Sequence, residues 1–127
     1  MNYASAKDTK LRFGQKRLAA NVYLRPVGDD FAVRYYDTDV VTICKDGSAI
    51  LKHGGFITKS TAALIREFSP VEVDVDWKPS HPDHFVLVYV GQVYVWPRNL
   101  YRLRLLASGT VQKWEGEKWV RVKPDTE

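Results

Sequence analysis

The sequence has little cysteine, no long apolar run and no complete catalytic signature. A single cysteine among 127 residues, Cys44, excludes an internal disulfide framework and fits a reducing compartment. Cys44 stands inside the apolar run 40–44, which suits a small buried hydrophobe better than a nucleophile. The longest apolar run, 85–96, is interrupted by Gly91 and Gln92 and falls short of the roughly 20 residues of a membrane-spanning helix. The first eight residues contain no apolar stretch of the kind a secretory signal requires, so a cytoplasmic location without membrane insertion is expected. Neither sign of charge dominates. Nineteen Lys and Arg stand against fifteen Asp and Glu, and the net charge of +4 is mild for a dedicated DNA binder, though compatible with nucleic acid or an acidic partner.

Aromatic residues, by contrast, are abundant at 13%, and they favour strands. At 45% hydrophobic and 27% charged, the chain is ordinary globular material of single-domain size. Residues 1–15 carry few large apolar side chains and several Lys and Arg, which reads as a basic, mobile N-terminal arm ahead of one β-rich domain, 16–127. Apolar alternation predicts strands at 18–25, 31–36, 40–44, 49–51, 71–77, 85–90, 93–96, 100–106, 111–114 and 118–122. Asp46-Gly47 is the clearest hairpin signal, and Gly91-Gln92 reads as a second tight turn. The fold class expected is α+β and β-rich. It is a twisted antiparallel sheet or partial barrel of about eight to ten short strands, with one short helix near 59–69.

That helix follows the stretch on which the chain turns. Gly54-Gly55 permits positive φ, and Gly55→Val is expected to damage folding. Thr58, Ser60 and Thr61 are candidate N-caps, and Ser69-Pro70 ends the helix. Gly54, Gly55, Thr58, Lys59, Ser60 and Thr61 also form a candidate anion-binding turn, because free amides and the helix dipole point to a helix start. The pattern is not a Walker A loop, since Thr58 stands where its second glycine belongs. A plain glycine turn into a capped helix explains the same residues.

Three constellations carry possible chemistry. His81, Asp83 and His84 are metal-ligand types, but they sit in one proline-bound loop with no second cluster; no metal or cofactor is expected. Glu72, Asp74 and Asp76 form a row of carboxylates that reads as a solvated strand face rather than a converging acid–base pair. Tyr89, Tyr94, Trp96, Tyr101, Trp114 and Trp119 lie close to Arg98, Arg102, Arg104, Lys113 and Lys118, and Tyr94, Trp96, Tyr101 and Trp114 with Arg98, Arg102 and Arg104 form the candidate binding face. Such a set suits a single-stranded nucleic-acid platform or a protein-binding hot spot, while period-2 alternation alone would place half of the aromatics in the core.

The run Thr38-Asp39-Val40-Val41-Thr42, then Asp46-Gly47, Leu51, Gly54-Gly55-Phe56, Thr58 and Ser60-Thr61, resembles an uncharacterised family of small bacteriophage and bacterial proteins. The family pattern is T-D-[VI]-V-T…D-G…G-G-[WF]-x-T, and the likeness covers about residues 18 to 70. The family continues with Lys-Asp-Arg where this chain has Ala62-Ala63-Leu64, so no role for those charges carries over. The resemblance implies phage association. With the missing catalytic signature, it points to a small non-enzymatic protein that engages a host protein or protein–nucleic-acid complex within the host cytoplasm, possible inhibition of a defence complex included. Nucleic-acid or nucleotide-phosphate binding is the alternative, and a metal-assisted hydrolase the third reading.

Overall fold

Alternating apolar and polar residues resolve, in the computed structural model, into two antiparallel sheets; residues 1–125 are described. The first segments are α1 (Tyr3–Lys7), β1 (Lys16–Ala19), β2 (Val22–Val27), β3 (Asp30–Tyr35), β4 (Thr38–Ile43) and β5 (Ala49–Lys52). Then come α2 (Lys59–Phe68), β6 (Asp74–Asp76), β7 (His84–Tyr89) and β8 (Gln92–Pro97). The chain closes with β9 (Arg102–Leu105), β10 (Val111–Trp114) and β11 (Trp119–Arg121). The larger sheet is open, in the order β1-β2-β3-β4-β5-β9-β10-β11, and the smaller is β6-β7-β8. The β-rich α+β class expected from the sequence is the one observed.

The larger sheet is a meander with one excursion. Between β5 and β9 the chain leaves it to build α2 and the smaller sheet, then returns to pair Leu51 with Leu103 and Lys52 with Arg102. Inward-facing residues of both sheets and of α2, among them Leu24, Val33, Leu51, Ile65, Phe85, Trp96 and Leu105, form one apolar cluster. Burying such side chains stabilises by about 1.5–3 kcal/mol each, which is what holds a ten-residue helix that would be marginal alone. Thr58 is the N-cap of α2; its hydroxyl accepts the Thr61 amide at 3.2 Å.

Several elements differ from the pattern in the sequence. The strand expected at 18–25 is a hairpin, β1 and β2, because Asn21 takes the left-handed conformation at φ 61°. The turn expected at Gly91-Gln92 is shifted to Val90-Gly91, with Val90 at φ 49°. Of the alternating stretch 71–77 only Asp74–Asp76 joins a ladder. The Ser69 hydroxyl donates to the Val71 carbonyl at 2.8 Å and accepts the Val71 amide at 3.3 Å, a local turn that competes with strand pairing. The basic N-terminal stretch opens with α1, which apolar periodicity does not signal. Asn2 and Ser5 close a capping box, Ala6 is fully buried, and the Tyr3 hydroxyl donates to the Asp29 carbonyl at 2.9 Å.

Candidate functional site

The larger sheet covers the core with one face and leaves the other open. In β9, Leu103 and Leu105 point inward, so Arg102 and Arg104 point out. Register then extends two rows across the open face. One row pairs Lys52 with Arg102 and continues to Trp114 and Trp119. The second runs Thr42, Ile50, Arg104, Gln112 and Arg121. The guanidinium of Arg102 lies 6.0 Å from the Trp114 ring, that of Arg104 lies 5.8 Å from Trp119, and the two indoles meet edge to face at 5.3 Å. Contacts of this kind hold the two cations against the indoles, with Arg104 Nε buried beneath the surface.

Charge on this face is uneven. Arg104 donates to the Asp46 carboxylate at 2.9 Å, and Asp46 is held below the usual carboxylate range, first by its hydrogen bonds from Ser48. Arg25 grips Asp39 through two hydrogen bonds of 3.2 and 2.6 Å. Lys52 sits among Arg102, Arg25 and Asp39. Its ammonium is pushed below the ordinary lysine value, first by burial and then by Arg102, with Arg25 adding to the effect and Asp39 opposing it. Three cations thus share one local carboxylate.

The remaining residues of the predicted aromatic and basic set are elsewhere. Tyr94 and Trp96 are core residues, because β8 turns them toward the large sheet, and Trp96 donates to the Leu100 carbonyl at 2.6 Å. They take no part in an exposed face. Tyr101 is exposed but packs its ring 5.9 Å from His53, away from Arg102. Arg98 donates to the Gly55 carbonyl at 2.7 Å and approaches Asp83 at 4.0 Å. The structure therefore brings together Arg102, Arg104, Trp114 and Trp119, and adds Lys52 and Arg25. Lys52 and Arg25 escape sequence reading because nothing local announces that β5 pairs with β9, some 50 residues on.

The glycine turn is locked from within. His53 is 1% exposed, its Nδ1 accepts the Gly55 amide at 2.9 Å, and its Nε2 lies 3.0 Å from the Leu100 carbonyl and 3.2 Å from that of Pro97. That pattern requires the neutral ring with its proton on Nε2. Burial pushes its pKa down. The amides of Gly55, Phe56, Thr58, Thr61 and Ala62 all have acceptors inside the turn. Three amides of the candidate anion site, those of Gly55, Thr58 and Thr61, are thus already engaged.

His81 and His84 stack at 4.6 Å, with His81 Nδ1 3.3 Å from the His84 carbonyl. Among the described residues no three His, Cys, Asp or Glu side chains converge as metal ligands. Asp74 is exposed and Asp76 approaches Lys78 at 3.6 Å. No described helix is long and apolar enough to cross a membrane. Cys44 is buried, and burial raises its pKa. Its reaction with a disulfide reagent at pH 8 is expected to be slower than that of free cysteine by roughly ten-fold or more, rising to the free rate in denaturant; a free-thiol rate in the native protein would show that the site is open.

Comparison with protein-family models, with curated proteins and with solved structures finds no match to the chain.

Proposed function

We propose that the chain is a non-enzymatic binding protein of phage type that engages a host macromolecule through the open face of its larger sheet. The observation that carries this reading is the row Lys52, Arg102, Trp114 and Trp119, where two cations adjoin two indoles on one surface. The favoured partner is nucleic acid, free or within a host protein–nucleic-acid complex. Phosphates need only Lys and Arg near the backbone, and unpaired bases stack on aromatic or guanidinium planes. The likeness of 18–70 to bacteriophage proteins supports a setting in an infected cell, with a defence complex as the concrete target.

Fluorescence anisotropy with labelled single- and double-stranded DNA and RNA tests it. Affinity is expected to fall steeply with salt. Lys52→Ala with Arg102→Ala is expected to lower the slope of log K against log salt by roughly 1.4 for a single strand, about 0.7 per lost phosphate contact. These two positions are preferable to Arg104, whose loss also removes the ion-pair partner of Asp46. No binding at low salt overturns the nucleic-acid assignment and leaves a protein surface as the partner.

A further inference from the structure

A concavity of about 480 Å³ opens at the start of α2, and no residue of the basic rows lines it. Tyr35, Tyr36, Thr38, Phe56, Thr58 and Thr61 line it. Its size is that of a small-molecule site, and its composition matches one: mainly apolar walls with a few hydroxyls at one side. We infer that this pocket binds an uncharged, planar heteroaromatic ligand, held between aromatic walls and read at its edge by the Ser60 hydroxyl of the α2 N-terminal turn.

Several independent features converge on that chemistry. Phe56 is 64% exposed and Tyr36 62%, so two large rings border the opening with most of their surface in water. Exposed aromatic pairs at a concave site are what a flat ligand covers. Tyr36 also occupies the left-handed region at φ 51°, in a two-residue turn where glycine or asparagine would be unstrained. Its ring packs 4.7 Å from Tyr35, and its hydroxyl accepts from Asn21 at 3.1 Å. A strained aromatic fixed in place beside a pocket marks a site held for binding rather than for folding. The floor is rigid. His53 reaches it with both ring nitrogens engaged, and Thr38 is pressed against the backbone of Gly54.

Charge selects the ligand class. Asp37 is the one carboxylate on the lining, and it faces Arg34 at 3.7 Å; His53 is neutral. No lining residue is a free cation that would hold a carboxylate or phosphate. The Thr58 hydroxyl already donates to Thr61 Oγ1 at 3.1 Å and accepts the Thr61 amide, so the exposed Ser60 hydroxyl is the one left to donate and accept at the mixed edge of a heterocycle.

The test uses the full chain and three probes: adenosine, indole and adenosine monophosphate, each titrated to millimolar concentration and followed by amide NMR shifts. Saturable shifts confined to Tyr36, Phe56 and Thr58–Thr61 are expected with adenosine or indole. Adenosine alone indicates a nucleoside-type ligand; indole alone indicates an aromatic side chain of a peptide. Tyr36→Gly separates binding from folding. It removes one wall and relieves the left-handed strain, so affinity is expected to fall at least ten-fold while thermal stability holds or rises. Phe56→Ala should weaken binding similarly without loss of fold. Absence of saturation with both uncharged probes overturns the proposal, as does wild-type affinity in Tyr36→Gly. Monophosphate binding ten-fold tighter than adenosine overturns the uncharged assignment. None of these outcomes depends on nucleic-acid binding at the sheet face.

Discussion

Gly54→Val is expected to destabilise the protein by roughly 3–5 kcal/mol, and Gly55→Val by markedly less. Both glycines have positive φ, 61° and 84°, which a β-branched residue enters at a cost of about 1–3 kcal/mol. Only Gly54 also lacks room. A Cβ built there collides with the Thr38 hydroxyl and lies 3.0 Å from Thr38 Cγ2 and 3.2 Å from its Cβ. Because three atoms of one side chain are involved, rotating Thr38 does not clear the space, and overpacking adds roughly 1–3 kcal/mol. A Cβ on Gly55 meets nothing within 4 Å. Urea unfolding of both single variants checks the order. The pair Gly54→Ala with Thr38→Ala should recover the packing part and leave the conformational part. Equal losses at the two glycines would show that the contact with Thr38 is immaterial.

Replacing His53 should be the second large effect. His53→Ala opens a cavity in the core and orphans the Gly55 amide, for a loss of about 3 kcal/mol. The Leu100 and Pro97 carbonyls keep other donors, Trp96 Nε1 and the Leu100 amide, so they add little. The same residue gives stability a pH signature. Burial lowers its folded pKa below the 6.5 of the unfolded chain, so at acid pH the unfolded state binds the proton more readily. Its contribution is complete above about pH 6.5 and is lost as pH falls below that value. The slope approaches at most 1.36 kcal/mol per pH unit. The difference in unfolding free energy between wild type and His53→Gln should therefore be flat above pH 7 and shrink below pH 6. A difference that stays constant to pH 5 would mean that the buried ring accepts its proton without penalty.

How much of this was legible beforehand depended on how local the signal is. The end of α2 at Ser69-Pro70, its Thr58 cap and the Asp46-Gly47 turn follow from a few adjacent residues, and all stand where local chemistry puts them. Turns that use Asn21, Tyr36 and Val90 in the left-handed region were obscured, because two of those three residues rarely adopt it. The open face was half legible. Alternation separates Arg102 and Arg104 from Leu103 and Leu105, but it does not tell which side of β8 meets the core, and that side carries Trp96. Of the pocket residues, Tyr35 and Tyr36 come from the β3–β4 hairpin and Phe56 from the turn between β5 and α2, and only the pairing of β3, β4 and β5 brings them together.

The excursion between β5 and β9 carries a consequence for synthesis. While the chain leaves the ribosome, β5 must wait for residues 102–105, about 50 residues later, before its outer edge is paired. At 5–20 residues per second that interval lasts roughly 3–10 s. During it the nascent sheet ends in Ala49–Lys52, a bare strand backed by apolar surface and open to a neighbouring nascent chain. Chains interrupted anywhere within 53–101 keep that edge permanently, so such fragments should be the form of this protein that self-associates.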